Sequence, residues 1–281
     1  MQAARTCLPC AYPHRPTLES RTSSRLRPAP VRTAVGMIGS VGKNVLEKSS
    51  VEEIRDRFDR DVERFSNLET GQTATVDAAL ALDLVARSAA ATTPAARAML
   101  DIGCGAGNFT LKLLELLPNL DCTLIDLSPN MLARAHVRVS TATAGVVSTI
   151  QQDIRLVEMP PNSVDVVVAA AVLHHLRDEK EWPETFRKIF RWLRPGGSLW
   201  IFDFISHEIE AVEDIMWKRY GDYLAAFKGE EYRDQVFAYV DREDSPRPVL
   251  FQCDLLREAG FREIDILHKN TCFAAFGARK P

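Results

Sequence analysis

A chain of 281 residues with 46% apolar and 26% charged side chains can build one α/β domain and an embellishment around a sizeable core. Its formal net charge of −3 gives no general attraction to nucleic acid or to an anionic membrane. The longest wholly apolar run, Val166 to Leu173, is too short to span a bilayer, and the six scattered cysteines suggest no disulfide framework, which fits a reducing, cytoplasmic setting.

Residues 1–48 differ from the rest. The first forty hold six arginines, one acid (Glu19), many Ser, Thr and Pro, and no apolar period, so the segment reads as a disordered or targeting-like tail, or as sequence upstream of a start at Met37. Cys7 and Cys10 form a C-x-x-C with no second pair at zinc spacing, and no metal site is expected. Without the arginine-rich tail the remainder is more acidic than the whole, which disfavours a nucleic-acid substrate.

A helix is expected from Ser49 or Ser50, where Glu52 or Glu53 completes a capping box and Ile54, Phe58, Val62 and Phe65 recur at helical spacing. A second is expected over about Thr73–Ala90 with Val76, Leu80, Leu84 and Val85 inward. The short apolar run Met99–Ile102 carries Asp101 near its end, and Gly103, Gly105 and Gly107 follow at alternate positions before a helical pattern begins at Phe109. This is a strand, a tight glycine turn and a helix, and glycine serves where backbone must take positive φ or approach a ligand closely. A pyrophosphate loop wants G-x-G-x-x-G. Here the third glycine comes one residue early and Asp101 precedes the loop, which disfavours a nicotinamide oxidoreductase and suits a nucleotide-like ligand with a cationic or amino end.

Cys122–Asp126 reads as the second strand, with Asp126 nineteen residues past Gly107, placed to accept both hydroxyls of a ribose. Leu127 and Met131 are suited to flank an adenine ring, and Ser128-Pro129 opens a helix through about Val139. Val146–Gln151 is the third strand and Val164–Val168 the fourth, apolar as in a central parallel strand. Trp182–Leu193 is an amphipathic helix stopped at Leu193-Arg-Pro-Gly-Gly197, and Ser198–Phe204 is the fifth strand. Trp217, Tyr220, Tyr223 and Phe227 then fall close to one helical face; a further helix ends at Gly260, and Arg262–Leu267 with Cys272–Gly277 reads as an antiparallel hairpin.

With Asp101 before Gly103, Gly105 and Gly107, the chain resembles the class I S-adenosylmethionine-dependent methyltransferases, whose first motif is a strand ending in Asp or Glu and then G-x-G-x-G. The resemblance covers roughly residues 50–281 and implies a methyltransferase domain over 49–281 with S-adenosyl-L-methionine as cofactor. The implied fold is a three-layer α/β/α sandwich around a seven-stranded, mostly parallel sheet of order 3-2-1-4-5-7-6 with the last strand antiparallel. N-terminal helices would fold over the cofactor, and an insertion at about 205–249 would form a substrate lid, with Trp217, Tyr220 and Tyr223 on the acceptor. Asp153 and Ile154 match the positions that meet the adenine. Ala169-Ala170-Ala171-Val172-Leu173-His174-His175-Leu176 resembles the fourth motif, in which the strand end, including Ala170, passes the methyl donor and the next residues face the acceptor.

Methyl transfer from a sulfonium is an in-line displacement that proximity and orientation can largely drive, and a base is needed only for an acceptor that is protonated at working pH. His174 and His175 are the titratable candidates, with His174 the first choice to face the acceptor. The expected function is methyl transfer to a small-molecule acceptor, with no membrane partner and a homodimer as an open expectation. The rivals are an enzyme like the carboxy-S-adenosylmethionine synthases of tRNA wobble-uridine modification, suggested by the stretch from Arg57 to Phe65, and a non-catalytic S-adenosylmethionine-binding protein.

Overall fold

The computed structural model describes residues 48–67 and 73–281. The expected tail, with Cys7 and Cys10, lies outside the described residues except for Lys48.

Helix α1 (Val51–Arg60) starts at the expected box: Ser50 Oγ accepts from Glu53 N at 3.2 Å, and Glu53 Oε2 accepts from Ser50 N at 2.7 Å. The helix does not run on to Phe65 as one rod. Asp61 N donates to Phe58 O at 3.1 Å, a closure one residue tighter than an α-turn, and the chain re-enters helix as α2 (Val62–Ser66). Helix α3 (Ala78–Thr92) begins five residues later than expected, because Asp77 ahead of it takes φ 57°, with its carboxylate accepting from His268 Nε2 and Asn270 Nδ2, each at 2.8 Å. Its inward stripe is Ala78, Ala81, Leu82, Val85, Ala86 and Ala89, whereas Leu80, expected inside, is exposed.

Beyond α3 the elements alternate: β1 (Ala98–Ile102), α4 (Asn108–Leu114), β2 (Asp121–Asp126), α5 (Pro129–Ser140), β3 (Val147–Gln151), β4 (Val164–Ala170), a 3-10 turn at Leu173–His175, α6 (Glu181–Trp192) and β5 (Leu193–Phe204). Then come α7 (Glu210–Lys228), α8 (Glu230–Glu243), α9 (Val249–Ala259), β6 (Glu263–Asn270) and β7 (Phe273–Arg279). The seven strands stand in the order β3-β2-β1-β4-β5-β7-β6, with β7 antiparallel to both neighbours and the pairs from β3 to β5 parallel, as the resemblance implied. Strand β5 starts earlier than expected. Leu193 pairs with Val164 and Ser198 with Val166, so Arg194–Gly197 bulge out of the ladder and Gly196 takes φ 80°.

Alternation along the strands divides the core between the two faces. Met99, Val166, Val168, Trp200 and Phe202 pack with α3, α4 and α5, while Leu100, Val167, Ala169, Leu199 and Ile201 pack with α6 and α9. Trp182 is fully buried on the second face and donates from Nε1 to Leu176 O at 3.2 Å, just after the turn that carries the two histidines. Truncation by Trp182→Ala is expected to cost about 3–5 kcal/mol through the cavity and the lost bond. Urea unfolding checks this, and an unshifted midpoint would contradict it. No helix among the described residues is long and apolar enough to cross a membrane.

Candidate active site

Strands β3, β2 and β1 are neighbours, and each brings an acid to its carboxyl end: Asp153 just past β3, Asp126 closing β2, and Asp101 near the end of β1. All three line one cavity, together with Ile154, Leu127, Met131, Gly103, Gly105 and Ala170. Ligands of open α/β sheets settle at this end of the strands.

The glycines divide the work of the loop. Gly103 has φ 66°, and a Cβ there would lie 2.6 Å from Val172 Cγ2, so the loop presses directly on the segment after β4. Gly105 has φ 50°, and a Cβ there would meet nothing within 4 Å, so its backbone borders open space. Gly107 has φ 83° and does not line the cavity; a Cβ there would lie 3.1 Å from Val139 Cγ2, so its place is the close packing of α4 on α5.

Each acid is held differently. Asp126 Oδ2 accepts from Gly105 N at 2.8 Å and Oδ1 from Ser128 N at 2.9 Å, tying the loop to the start of α5. Burial raises its pKa against these amide bonds. Asp101 accepts from Thr110 Oγ1 at 2.6 Å, and burial pushes its carboxyl up to about 7 against the pull of that hydroxyl. Asp153 is forked by Arg155, with Nη2 to Oδ2 at 2.6 Å and Nε to Oδ1 at 2.9 Å, and Arg155 bonds Glu181 Oε1 at 2.7 Å in turn. Burial alone would raise Asp153, but the Arg155 bonds outweigh it and hold the carboxyl below its ordinary value. A carboxylate so paired keeps lone pairs for one more donor.

Helices α1 and α2 close over the cavity. Ile54, Phe58 and Phe65 line it, with the two phenyl centroids 5.6 Å apart. Asn108 Nδ2 donates to Phe65 O at 2.9 Å, and Ser128 Oγ donates to Asp59 Oδ1, so the cover is tied to the glycine loop and to α5.

The two histidines part ways. His174, the first choice for facing the acceptor, does not line the cavity. Its ring is buried with Nδ1 2.5 Å from Asp203 Oδ1 and Nε2 3.6 Å from Asp244 Oδ1, and Asp203 Oδ2 accepts from His174 N at 3.1 Å. Burial pulls its pKa down, but Asp203 and Asp244 overcome this and raise it to about 9. His175 does line the cavity, edge-on to Phe58 at 6.2 Å, and burial with the cations His174, Arg57 and Arg177 lowers its pKa well below the ordinary value.

Trp217, Tyr220 and Tyr223 do not line the cavity. Tyr220 and Tyr223 donate to the carbonyls of Ala74 and Thr73, each at 2.9 Å, Trp217 Nε1 donates to Glu213 Oε1 at 2.9 Å, and Trp217 meets Phe237 edge-to-face at 4.8 Å. They fix α7 against α8 and the segment before α3. The insertion reaches the site region through the end of α8 instead. Glu243 Oε1 accepts from Ser49 Oγ at 2.6 Å and pairs with Arg57 at 3.0 Å, and Asp244 meets the histidines. Asp203, Asp244 and Arg155 were missed from sequence. A lone acid inside the apolar strand Trp200–Ile205 was a usable signal for Asp203.

A family profile described as a methyltransferase domain matches residues 99–197. Among curated proteins, a malonyl-[acyl-carrier protein] O-methyltransferase of Paenibacillus sp. (strain JDR-2) is 31% identical over 150 residues, covering 52% of each chain. Phosphoethanolamine N-methyltransferase 1 of Arabidopsis thaliana is 29% identical over 175 residues, covering 61% of this chain and 33% of the relative. The chain thus spans about half of one of these relatives and a third of the other. Among solved structures, the N-methyltransferase NodS of Bradyrhizobium japonicum WM9 with S-adenosylhomocysteine has a TM-score of 0.56 at 19% identity, covering 81% of this chain and 98% of that one. The [4+2]-cyclase SpnF has a TM-score of 0.58 at 16% identity, covering 83% and 97%. These likenesses define the fold, the Rossmann-like one that N-methyltransferase NodS also has. Within it, residues 99–197 of this chain match a methyltransferase domain.

Proposed function

We propose that this chain binds S-adenosyl-L-methionine beneath α1 and α2 and transfers its methyl group to a small-molecule acceptor. The observation that carries the reading is the line of three carboxylates, Asp101, Asp126 and Asp153, along one cavity. That wall repels a pyrophosphate and attracts an ammonium, a sulfonium and hydroxyl or amine donors. Asp126 would accept the ribose hydroxyls, Asp101 the amino acid's ammonium and Asp153 the adenine amine, with Ile154, Leu127 and Met131 against the ring. Ala170, Gly103 and Gly105 allow close backbone approach.

The cofactor supplies a methyl group on a positively charged leaving group. This chain's residues supply position and dryness: Ile54, Phe58 and Phe65 cover the cavity, and the three strand-end acids fix the ligand's long axis. His175 is the imidazole on the cavity wall, and His174 stands behind it, held by Asp203. The named O- and N-methyltransferase relatives favour methyl transfer over carboxylation or tRNA modification. The buried thiols of Cys104, Cys122, Cys253 and Cys272 support a reducing, cytoplasmic location.

Radiolabelled S-adenosylmethionine, incubated with the protein and a panel of small hydroxyl, carboxyl, amine and thiol acceptors, tests the activity. Labelled product with stoichiometric S-adenosylhomocysteine is expected. Tight cofactor binding with no transfer to any acceptor class would leave a binding protein or another chemistry, as the cyclase of the same fold illustrates.

A pH effect also follows. Because the Asp101 carboxyl titrates at about 7, it is protonated in the empty site below that pH and must lose its proton to hold an ammonium. Affinity for S-adenosylhomocysteine is expected to be full above neutrality and to fall by up to about tenfold per unit as pH drops from 7. Calorimetry across that range checks it, and a flat profile would exclude Asp101 as the ammonium partner.

A further inference from the structure

His174, His175 and Asp244 converge. Their ligating atoms, one ring nitrogen from each histidine and one carboxylate oxygen, lie within 4.8 Å of one another. Asp244 Oδ1 is 3.6 Å from His174 Nε2 and 3.4 Å from His175 Nδ1. Both Asp244 Oδ1 and His175 Nδ1 are buried with no hydrogen-bond partner. Two such orphaned atoms facing each other are destabilising unless something satisfies them. The cluster draws on the 3-10 turn after β4 and the end of α8, elements 60 and more residues apart, so no local turn explains it.

From these contacts we infer that His174, His175 and Asp244 form a binding site for one divalent transition-metal ion of the zinc class. Three observations carry this. First, zinc bonds of about 2.0–2.1 Å in tetrahedral geometry put neighbouring ligand atoms about 3.4 Å apart, close to the 3.4 and 3.6 Å from the carboxylate oxygen to the two nitrogens. Second, His174 turns its other nitrogen to Asp203, and a carboxylate behind the imidazole is the usual orienting partner of a metal-bound histidine. Third, an ion on these atoms would satisfy both orphans at once, displacing the proton from His174 Nε2 as it binds. Two imidazoles and one carboxylate suit zinc, iron(II) or cobalt(II) rather than magnesium or calcium, which take oxygen sets. Three protein ligands leave a position open, and His175, whose ring lines the cavity, links the site to it. This site goes beyond the cofactor reading, because the cofactor acids take no part in it.

The test uses the tag-free full chain, with Cys7→Ser and Cys10→Ser so that the terminal C-x-x-C cannot contribute. After chelator treatment and exchange, cobalt(II) is titrated while visible absorption is followed, and zinc is then added in competition. One equivalent of cobalt with the intense absorption of a low-coordinate site, displaced by zinc and not by magnesium, is the expected result. Asp244→Asn, folded by circular dichroism, is expected to lose about a hundredfold in affinity, and Asp203→Asn, which alters only the support of His174, about tenfold to a hundredfold. No stoichiometric binding tighter than about 10 µM would overturn the inference, as would binding that both substitutions leave unchanged. A separate S-adenosylhomocysteine titration on the same metal-free sample reads the cofactor reading independently, so the two can fail apart.

Discussion

Asp126→Ala is expected to weaken S-adenosylhomocysteine binding by at least about a hundredfold, or about 3 kcal/mol. Two losses combine. The carboxylate that would grip both ribose hydroxyls is gone, and each such charge-assisted bond contributes about 1.5–3 kcal/mol. The same group also ties Gly105 N and Ser128 N, so its removal frees the loop that shapes the cavity. Asp126→Asn grades the two effects. It keeps the side chain's shape and one of the two amide bonds but turns its NH2 onto the other backbone N–H, so it is expected to fall between wild type and alanine in affinity, with a melting temperature below wild type. Calorimetric titration reads all three proteins, and equal affinity for wild type and alanine would remove Asp126 from the site.

Gly103→Ala is expected to damage fold and site together. The backbone there takes φ 66°, where an L side chain costs about 1–2 kcal/mol. The added methyl would also lie 2.6 Å from Val172 Cγ2 and 2.7 Å from its Cβ, branched atoms that cannot swing away as a flexible chain end would. Overpacking of this kind adds about 1–3 kcal/mol. The loop or the Val172 segment must move, and that segment leads straight into His174 and His175. A lower unfolding midpoint and lost cofactor binding are expected. Gly105→Ala is the comparison: it bears similar backbone strain at φ 50° but meets no atom within 4 Å, so it should unfold later than Gly103→Ala while still crowding the ligand. Equal stability of wild type and Gly103→Ala in urea would contradict the packing argument.

The central strands were legible because β1, β2 and β4 are short, mostly apolar runs, and the order followed from the family resemblance that the glycine loop supplied. The three acids that line the cavity were legible for the same reason: each lies at or beside the carboxyl end of a strand, where the apolar pattern stops. Helix faces were harder. On α3 the large Leu80 is exposed and a stripe of alanines packs inward, because the sheet approaches closely and small side chains fit there. The aromatics of α7 could face an acceptor or a neighbouring helix with the same spacing, and the choice was made by α8, which the sequence does not orient. Asp244 gave no signal at all. It is one acid in a polar stretch, and only the return of α8 toward the 3-10 turn brings it to the histidines. The roles of His174 and His175 differ for a reason of the same kind, since both rings meet Asp244 but the acid in β5 holds His174 inside while His175 reaches the cavity.

The measurement that bears most directly on the central claim is an equilibrium titration of the wild-type chain with S-adenosylhomocysteine, run beside NAD. Saturable binding of one S-adenosylhomocysteine per chain, with NAD silent, is the expected result, because a wall of Asp101, Asp126 and Asp153 suits an adenosyl ligand with an ammonium end and disfavours a pyrophosphate. No binding of S-adenosylhomocysteine, or preference for NAD, would contradict it and would make the glycine loop a site for a different nucleotide.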